Sequence, residues 1–446
     1  MKVLKFGGTS VGSEASIRNV KNIILAEKEP KVLVLSAMSG ITNMLVSFSE
    51  ASRNKDHKAA EALLSEIDQK HLHLISGLLK DKNNLQICQK YIQHQLNELK
   101  NLFEQHWNEE IDARIITTGE QMLTNIFTSF LSENNISNTL LDAREFMQVD
   151  NLENPDTAEV GVLLEEYLKT LPQSTIYITQ GFVRKDKYGK IATLKRGGSD
   201  YSATIIGAAL QVNSVEIWTD ISGIHNNDPR YVEGTHAVAQ LSFEEAAELA
   251  YFGAKILHPQ TISPVIGKDI PVYLKNTFTP EAEGTCISSK HHEKGLKAIS
   301  AKDEITAIKI KSNRMLMAHG FLKKIFEVFD TYETSIDMIT TSEIAISLTI
   351  DDVRNLDLII EELREFGEIS VDTNHSIICV VGEGLIEDRG TSRLFEILKD
   401  IPVRMISYGG SNNNISLLVD TQNKIEALKI LNEKLFKVQV LEPSLG

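Results

Sequence analysis

Charged residues beside glycines are the first candidates for chemistry in this chain. The apolar run Met1–Phe6 contains Lys5 and ends at the pair Gly7 and Gly8, after which the sequence becomes polar. Adjacent glycines let the backbone approach a ligand closely, and a helix that follows them directs unpaired N–H groups toward an anion. The pattern predicts a strand, a glycine turn and a helix that hold phosphate, with a negative partner for the Lys5 ammonium. The alternative is a lysine at a strand edge whose ammonium reaches water.

A second glycine pair lies in the motif Arg196–Asp200 (RGGSD), before the small-residue stretch Ala203–Leu210, which has a helical pattern. In such a turn, successive backbone N–H groups point at one position, where they bind an anion. The flanking arginine, serine and aspartate are more than a simple surface turn requires. We therefore predict a second anion-binding turn here.

The third candidate is an acidic residue, Glu120. The run Ala113–Ile116 predicts a strand, and Thr118 with Gln121 three positions later forms a capping-box pattern that opens a helix. Glu120 would then lie in the first turn of that helix. Because the helix dipole stabilises a carboxylate there, a purely structural role is the alternative to ligand binding.

The elements that must position these residues alternate between short apolar runs and helical patterns. Residues 50–110 predict a mostly helical insertion with leucines at helical spacing. Alternating strands and helices favour an α/β fold with a doubly wound, mainly parallel sheet. The predicted strands are Lys31–Ala37, Ser137–Asp142, Ser174–Gln180 and Ser214–Thr219.

One more helix is predicted at Phe243–Leu257. It begins at the capping-box pattern Ser242–Glu245, carries Lys255 near its C-terminal end and stops at Pro259. Neither a G-x-x-x-x-G-K-[ST] motif nor a G-x-G-x-x-G motif after a strand occurs in the sequence. A phosphate site here is therefore neither a Walker loop nor a Rossmann fingerprint.

Length and composition limit the function classes. A chain of 446 residues is too long for one ordinary core, so two or three domains are expected. The formal net charge of -15 argues against binding to nucleic acid or to an anionic membrane. Cys88, Cys286 and Cys379 form no CxxC pair, which favours a reducing compartment, and no apolar run is long enough to span a bilayer. We expect a cytoplasmic protein.

Six motifs in a fixed order together resemble aspartate kinase, within the amino-acid kinase superfamily. They are Lys5–Ser10 (KFGGTS), Ser39–Asn43 (SGITN), Thr118–Glu120 (TGE), Arg196–Asp200 (RGGSD), Trp218–Asp220 (WTD) and Phe252–Pro259 (FGAKILHP). Each motif alone is modest, whereas the six in this order are specific, and with the C-terminal region the resemblance covers nearly the whole chain. The implied fold is an αβα sandwich with a mainly parallel sheet over residues 1–298, followed by two ferredoxin-like ACT modules.

The resemblance implies transfer of the ATP γ-phosphoryl group, with Mg2+, to the side-chain carboxylate of L-aspartate. The product, 4-phospho-L-aspartate, begins the biosynthesis of lysine, threonine and methionine. The aspartate carboxylate has a pKa near ~4, so it is ionised at neutral pH and needs no general base. Two anions must instead be brought together, which requires fixed cations and hydrogen-bond donors. Mg2+ is expected to be held mainly by the ATP phosphates.

By analogy with the family, roles follow for the residues that match its motifs. Lys5 and Asp200 are the expected catalytic residues: Lys5 would neutralise the transition state, and Asp200 would orient Lys5 and the reacting groups. Arg196 is expected on the substrate α-carboxylate and Glu120 on its α-ammonium. Many relatives carry a tyrosine where this chain has His225, so altered nucleotide contact and neutral drift are both open. The expected ATP site comprises Lys5, Gly7, Gly8, Ser10, Thr219, Asp220, His225, Arg230 and Lys255, and the expected aspartate pocket comprises Thr42, Glu120, Phe182, Arg196 and Ser199.

The pattern changes near residue 302. A β-α-β-β-α block over residues 305–366 recurs over residues 375–436. This repeat is similar to a tandem of ACT domains, which are small regulatory modules that bind amino acids at their interfaces. The expected modules are 299–374 and 375–446, and their interleaving is left open. Because such modules pair across a twofold axis in the family, a homodimer or a dimer of dimers is expected.

Two segments of the first repeat resemble the lysine-sensing segments of lysine-inhibited aspartate kinases. Asp337 and Glu343 would take the ammonium groups of lysine, and backbone N–H groups near Gly320 would take its carboxylate. The alternative is that these acids lie at a sheet edge and bind no ligand. The expected effector residues are Met315, Gly320, Phe321, Leu322, Ser335, Ile336, Asp337, Ser342 and Glu343.

Two other functions are open at this point: a superfamily kinase acting on glutamate or acetylglutamate, and a catalytically silent amino-acid sensor. The Arg196–Asp200 motif and the paired ACT modules argue against the first. The presence of Lys5, Glu120 and Lys255 argues against the second, since a silent sensor needs no charged groups in one cleft. A fused dehydrogenase is not expected, because the sequence stops after the second repeat.

Overall fold

The computed structural model describes residues 1–195, 197–253, 257–289, 293–312, 319–387 and 393–436. Within these ranges, no helix combines the length and the apolar character that a membrane span requires. The chain divides into two compact units, and two segments that precede residue 257 belong to the second unit. The first unit comprises Met1–Ile224, Ala239–Phe243 and Leu257–Lys290, and the second comprises His225–Val238, Glu244–Ile256 and His291–Gly446.

The first unit combines a large sheet with helices. Its strands are β1 (Lys2–Phe6), β2 (Lys31–Leu35), β3 (Thr139–Leu140), β4 (Ile176–Gln180), β5 (Val183–Lys185), β6 (Ile191–Thr193), β7 (Ser214–Thr219), β8 (Gln240–Leu241), β9 (Val272–Asn276) and β10 (Thr285–Ile287). Its helices are α1 (Glu14–Ala26), α2 (Ile41–Asn54), α3 (His57–Leu78), α4 (Lys82–Glu104), α5 (Glu109–Glu133), α6 (Thr157–Lys169), α7 (Gly198–Ala209) and α9 (Pro259–Ile262), with 3-10 turns at Ala143–Glu145 and Ser263–Val265. Helix α8 (Phe243–Tyr251) lies almost entirely in the second unit.

The large sheet places the N-terminal strand at its centre. Its order is β3-β4-β2-β1-β7-β9-β10-β8, and neighbouring strands are parallel except for β9 with β10. Strand β2 is buried along its whole length, as expected for a parallel strand that is covered on both faces. The predicted mainly parallel α/β sheet is confirmed. Because β1, β2, β4 and β7 run in the same direction, the glycine turns that follow β1 and β4 meet at one edge of the sheet.

The predicted helical insertion over residues 50–110 is confirmed as α3 and α4 with the adjoining ends of α2 and α5. Its apolar side chains belong to the same buried cluster as those of β1 and β2, and Ile67 and Leu99 have no exposed surface. The insertion is therefore part of the core of the first unit and supports the helix that carries Glu120.

The predicted strand Ala113–Ile116 is wrong, and so is the predicted helix start at Thr118. Both segments lie inside α5, whose N-cap is Asn108. The Thr118 hydroxyl donates to the Arg114 carbonyl one turn earlier, at 2.8 Å, instead of capping a helix. The run of β-branched residues favours a strand locally, but packing of this segment in the core beside α2 overrides that preference.

Two other helix bounds differ from the predictions. Helix α7 begins at Gly198, five residues earlier than predicted, so Asp200 lies in its first turn. Helix α8 begins at Phe243, as predicted, but ends at Tyr251. Gly253 follows with a φ of +112°, a left-handed conformation of the kind that ends helices.

The second unit contains the predicted β-α-β-β-α block twice in sequence order. Its strands are β11 (Gly295–Lys311), β12 (Met338–Thr341), β13 (Ala345–Ile350), β14 (Glu368–Glu383), β15 (Val403–Ser407) and β16 (Asn414–Asp420). Its helices are α10 (Phe321–Thr331), α11 (Leu356–Leu363), α12 (Arg393–Ile397) and α13 (Lys424–Phe436), with a 3-10 turn at Thr421–Asn423. The sheet order is β12-β13-β11-β14-β16-β15, and all of these pairs are antiparallel.

Two long strands join the repeats into one sheet. Residues 306–311 of β11 pair with β13, and residues 305–311 pair with the first half of β14. Residues 295–302 pair instead with the second half of β14, and register shifts around residues 302–307 separate the two halves of β11. The strand 295–302 therefore lies beside the later repeat, although it precedes the earlier repeat in sequence.

Candidate active site

Lys5 and Asp200 form the centre of the candidate site in the first unit. Lys5 lies on β1, and Asp200 lies in the first turn of α7. The Lys5 Nζ is 2.6 Å from the Asp200 Oδ1, and only 12% and 15% of the two side chains are exposed. The lysine therefore has the negative partner that its position in an apolar strand predicted, and it does not extend into water.

The glycine turn after β1 packs closely against the turn after β2. A Cβ atom at Gly8 would lie 3.0 Å from the Ala37 carbonyl oxygen, so a side chain would force backbone to move. At Gly7, a Cβ would lie 3.5 Å from the Lys5 Nζ, which places the ammonium directly beside this turn. Helix α1 begins at Glu14, so the predicted order of strand, glycine turn and helix is present. Phosphate binding at this turn stays a prediction.

Ser10 fastens the glycine turn to the neighbouring strands. Its side chain is fully buried, and its hydroxyl lies 2.7 Å from the Thr277 hydroxyl and 3.4 Å from the Trp218 carbonyl oxygen. The Gly7 N–H donates to the same Trp218 carbonyl at 3.1 Å. The turn is thus attached to the ends of β7 and β9, and a contact between Ser10 and ATP stays a prediction.

Glu120, in the middle of α5, is the buried acid of the site, with 3% of the residue exposed. Its Oε2 accepts hydrogen bonds from the N–H groups of Gly181 at 2.8 Å and Phe182 at 2.6 Å. Its Oε1 accepts a hydrogen bond from the Ser199 hydroxyl at 2.9 Å. Burial raises the pKa of Glu120 to about 7, although these donors and the charge of Lys5 favour the ionised form. A cationic ligand beside this carboxylate would stabilise its charge.

Two glycines allow the end of β4 to contact the start of α7. A Cβ atom at Gly181 would lie 2.5 Å from the Ser199 Cβ, and one at Gly198 would lie 2.4 Å from the Phe182 Cδ2. The N-cap residue Gly197 has a φ of +71° and provides no side-chain hydrogen bond to the helix. The Gly198 N–H donates to the Lys195 carbonyl at 3.1 Å, and Gly197 offers no side chain to the N–H groups that follow it beside the lysine–aspartate pair. A helix start of this kind binds anions.

Thr42 and Arg196 are the other residues predicted for the aspartate pocket. Thr42 lies in the first turn of α2, next to Ile41. A Cβ atom at Gly119 would lie 2.8 Å from the Ile41 Cγ2, so this glycine lets α2 approach α5 directly beside Glu120. Thr42 is thus on the helical turn that packs next to the buried acid. Arg196 lies outside the described residues.

The residues predicted for the nucleotide are divided between the two units. In the first unit, Thr219 ends β7, and its hydroxyl donates to the carboxylate of Asp220, an exposed residue, at 3.0 Å. In the second unit, His225 is partly buried, and burial lowers its pKa. Arg230 also belongs to the second unit and forms a bidentate pair with a neighbouring aspartate. Lys255 lies outside the described residues, and the assignment of all five to the nucleotide stays a prediction.

Sequence reasoning missed residues that hold the site in place. The Gln180 side-chain amide donates to the Thr124 hydroxyl at 2.9 Å, and its Oε1 accepts from the Ala143 N–H at 2.9 Å. The Ser36 hydroxyl donates to the Ser199 hydroxyl at 3.0 Å. Gln180 ends β4, and Ser36 follows β2. A polar residue at the end of a buried strand is the signal that could have identified both.

The arrangement in the first unit is suited to a zwitterionic substrate that reacts with an anion. Lys5 supplies an ammonium, α7 supplies the N–H groups of its first turn, and Glu120 supplies a carboxylate for a positively charged group. Ser199 links these parts, because its hydroxyl donates to Glu120 and its neighbour Asp200 pairs with Lys5. In the described part of the chain, no group of three or more His, Cys, Asp or Glu side chains is placed to hold a metal ion.

The residues predicted to sense an effector lie in the second unit. Gly320, with a φ of +78°, is the N-cap of α10 and leaves the helix start without a side-chain cap. Ser342 connects β12 to β13 through three hydrogen bonds with the Ala345 backbone. Met315 lies outside the described residues. Phe321 and Leu322 lie in the first turn of α10, Ser335 and Glu343 are exposed, and Ile336 is half-buried.

Asp337 is the buried acid of this segment. None of its side chain is exposed, and its Oδ1 lies 2.7 Å from the Lys302 Nζ and accepts a hydrogen bond from the Tyr251 hydroxyl at 2.9 Å. Lys302 also lies 2.8 Å from the Asp351 Oδ2. Burial raises the pKa of Asp337, although Lys302 opposes this shift. Asp337 is therefore not a solvent-exposed acid at a sheet edge. Glu343 has no ion-pair partner among the residues described.

Family models match both units of the chain. A model of the amino acid kinase family matches residues 1–276, which is more than half of the chain. A model of the ACT domain matches residues 378–435. The first match contains Lys5, Glu120 and Asp200, and the second covers part of the later β-α-β-β-α block.

Individual relatives match along nearly the full chain. The chain is 30% identical to lysine-sensitive aspartokinase 3 of Escherichia coli, over 98% of this chain and 99% of that protein. The crystal structure of E. coli aspartokinase III in complex with aspartate and ADP (R-state) has a TM-score of 0.83 at 30% identity, covering 98% of this chain and 100% of that chain. The complex of aspartokinase III with lysine and aspartate (T-state) has a TM-score of 0.80 at 29% identity, covering 98% and 99%.

Proposed function

Because the chain belongs to the aspartokinases of the amino acid kinase family, we propose that it transfers the γ-phosphoryl group of ATP to the side-chain carboxylate of L-aspartate. The product is 4-phospho-L-aspartate, the starting point for lysine, threonine and methionine. One observation carries this proposal: the Lys5–Asp200 ion pair and the buried Glu120 converge in one unit and are joined by the Ser199 hydroxyl.

The reaction requires no proton transfer. The aspartate side chain has a pKa near ~4, so it attacks as a carboxylate at neutral pH. One of its oxygens forms a bond to the γ-phosphorus while the bond from that phosphorus to the β,γ-bridging oxygen breaks, and ADP leaves with that oxygen. The barrier comes from bringing two anions together, and fixed positive charge and N–H donors lower it.

Lys5 provides the fixed positive charge for this step. Its ammonium is held by Asp200 at 2.6 Å beside the glycine turn, so little reorganisation is needed when phosphate arrives. The backbone N–H group of Gly8 and the start of α7 complete the phosphate environment. Gly7, whose N–H donates to the Trp218 carbonyl, contributes by having no side chain beside the phosphates. Asp200 acts by orienting Lys5, since a carboxylate in direct contact with the phosphates would repel them.

The aspartate pocket surrounds Glu120. Its carboxylate takes the substrate α-ammonium, which would restore the ionised form that burial disfavours. Arg196 takes the α-carboxylate through its bidentate guanidinium. Thr42, Phe182 and Ser199 complete the pocket. An acidic amino acid bound in this way presents its side-chain carboxylate to the γ-phosphoryl group.

ATP is the second substrate, and Mg2+ is the metal ion proposed to accompany it. Thr219, Asp220, His225, Arg230 and Lys255 are the proposed nucleotide contacts. The Asp200 carboxylate is already paired with Lys5. The site therefore fits a Mg2+ ion whose ligands are mainly phosphate oxygens and water. Mg2+ bound in that way supplies charge neutralisation on the phosphates.

We also propose that the second unit is a regulatory pair of interleaved ACT modules. The first would comprise residues 305–372, and the second would combine residues 375–446 with the strand 295–302 that lies beside them. This division differs from the boundaries 299–374 and 375–446 expected from sequence, since one strand of the later module comes from upstream. L-Lysine is the proposed inhibitor, with Asp337 and Glu343 for its ammonium groups and the start of α10 for its carboxylate.

A homodimer or a dimer of dimers is the proposed assembly, because ACT modules of the family pair across a twofold axis. A cytoplasmic location is proposed on the basis of the cysteines. Cys88, Cys286 and Cys379 are free thiols, and two of them are buried, which suits a reducing compartment.

The experiment that tests the function is acyl-phosphate formation from ATP, Mg2+ and L-aspartate, trapped with hydroxylamine. Turnover with aspartate and none with glutamate or acetylglutamate is the expected result. Turnover with another acidic amino acid in place of aspartate would contradict the proposed pocket. Adding millimolar lysine, threonine or methionine in parallel identifies the effector, and suppression by lysine is expected.

A further inference from the structure

The buried carboxylate of Asp337 is only partly satisfied in the structure. Its Oδ1 takes the Lys302 ammonium and the Tyr251 hydroxyl, at 2.7 Å and 2.9 Å. Its Oδ2 is buried and has no hydrogen-bond partner within the described residues. A buried oxygen without a donor is costly, so this acceptor is open to an incoming N–H group.

Lys302 is shared between two carboxylates of unequal exposure. Its Nζ lies 2.7 Å from Asp337, whose side chain is fully shielded, and 2.8 Å from Asp351, whose side chain is 39% exposed. These two carboxylates and one ammonium give the group a formal charge of -1. That excess attracts a second cation, and the half-exposed Asp351 offers Lys302 a place to move when one arrives.

Tyr251 connects this group to helix α8. The Lys302 Nζ lies 4.4 Å from the centre of the Tyr251 ring, a cation–π distance, while the phenol hydroxyl donates to Asp337. Tyr251 is the last residue of α8. Two residues later, a Cβ atom at Gly253 would lie 2.0 Å from the Ala301 carbonyl oxygen, so the chain after α8 runs directly against the strand that carries Lys302.

Helix α8 also contacts the sheet of the second unit at two further points. The Glu245 carboxylate lies 2.9 Å from the Lys297 Nζ, and the Asn414 amide donates to the Glu248 carboxylate. A shift of this sheet would therefore move α8 with it. Tyr251 precedes Lys255, a proposed nucleotide residue, by four positions in sequence. A displacement of Tyr251 would therefore reach Lys255 along only four residues of chain.

We propose that Lys302 is a built-in occupant of the effector's ammonium site, and that Tyr251 transmits its displacement to α8. An effector ammonium that binds Asp337 repels the Lys302 ammonium, which moves onto Asp351. Tyr251 then loses its cation–π partner, and its hydroxyl competes with the effector for Asp337. The contacts of Lys302 and Tyr251 with Asp337 belong to the effector-free state alone. This inference rests on the proposed regulation by lysine.

The thermodynamic consequence has a definite sign. A contact that exists only in the effector-free state opposes effector binding, so its removal shifts the population toward the bound state. Lys302→Met and Tyr251→Phe should therefore make the enzyme more sensitive to lysine. A purely structural role would instead lower stability or activity without increased sensitivity.

The test is the lysine concentration for half-inhibition, measured with the hydroxylamine assay on the full chain at a mildly alkaline pH, because burial raises the pKa of Asp337. Lys302→Met should lower this concentration about tenfold, and Tyr251→Phe should lower it about threefold, with uninhibited rates close to wild type. Lys302→Arg, which keeps the charge, should remain close to wild type. Lys309→Met is the matched control, because Lys309 is an exposed lysine on the same strand.

Three outcomes would overturn the inference. The first is unchanged sensitivity in Lys302→Met and Tyr251→Phe, while wild type is inhibited. The second is reduced sensitivity, which would place Lys302 in the inhibited state. The third is a wild-type enzyme that phosphorylates aspartate but neither binds lysine by calorimetry nor is inhibited by it, which would remove the proposed effector itself. The double variant should show less than the product of the single effects, because both residues act through Asp337.

Discussion

Two buried carboxylates, one in each unit, show two ways of preparing a site for an ammonium group. Glu120 is held by three neutral donors, from Gly181, Phe182 and Ser199. Asp337 is held by a cation, Lys302, together with a phenol. Among the residues that the structure describes, the first carboxylate has no direct cationic partner, whereas the second is already paired with one. The first site is therefore ready for its ligand, and the second must exchange one cation for another.

This difference suits the proposed tasks. A catalytic pocket is filled and emptied in every cycle, so a preformed acceptor with no internal competitor avoids a cost at each turnover. A regulatory site must couple occupancy to a change elsewhere, and a ligand that displaces part of the protein does this directly. A coupling free energy of about 1–3 kcal/mol is enough for roughly 5–150-fold inhibition. Exchange of a few hydrogen-bonded contacts to a charged group is of that size.

Of the variants considered, Lys5→Ala is expected to have the largest effect on the catalytic site. Loss of the fixed ammonium should lower kcat by about 10³-fold or more, because developing charge on the transferred group loses its main stabilising cation. The measurement is hydroxamate formation at saturating aspartate and ATP. The control is Lys2→Ala on the same strand, whose ammonium pairs with Glu27 and Glu216. Retained turnover together with an unchanged melting temperature would remove Lys5 from the mechanism.

Glu120→Gln tests whether the carboxylate charge, and not only its hydrogen bonding, makes the pocket. We expect the KM for aspartate to rise about 10²–10³-fold, since the α-ammonium loses a buried ionic partner, with a smaller change in kcat. Steady-state kinetics in aspartate provide the measurement. Glu109→Gln, an exposed acid in the first turn of the same helix, should behave as wild type. An unchanged KM would contradict the role of Glu120.

Asp337→Asn makes the same change in the regulatory half. The half-inhibitory lysine concentration should rise about 10²-fold, because the effector ammonium loses its carboxylate, while the uninhibited rate stays within about twofold. The hydroxylamine assay over a lysine titration provides the measurement. Asp352→Asn, which removes an acid paired with Arg354 in the same unit, is the control. Unchanged inhibition would show that lysine binds elsewhere.

The pH dependence of aspartate binding tests the role of the Glu120 carboxylate without a mutation. The pKa of Glu120 is raised to about 7, so its ionised form predominates above pH 7 and declines below it. Aspartate binding needs that form, so KM should rise about tenfold per pH unit as the pH falls below 7. The α-ammonium and carboxylates of aspartate do not titrate in that range. A KM that stays constant down to about pH 6 would contradict this assignment.

The sequence identified the parts that have local signatures. The strand predicted at Lys31–Ala37, found at Lys31–Leu35, and the repeated β-α-β-β-α order follow from hydrophobic spacing, which is a local property. The glycine turns beside Lys5 and Asp200 also have a local signature, since close approach of backbone demands glycine. Glu120 stays a predicted site residue, and its predicted position in a first helical turn was wrong.

Tertiary structure decided the rest, because the partners of a buried group are set by packing between distant segments. The Ile-Ile-Thr-Thr run of α5 became helix once it entered the core beside α2. The strand 295–302 joined the later repeat through a pairing that no local pattern encodes. The contact between Tyr251 and Asp337 spans 86 residues. Local sequence shows that an acid is present, but only the folded chain determines whether its partners are neutral hydrogen-bond donors, as at Glu120, or a lysine, as at Asp337.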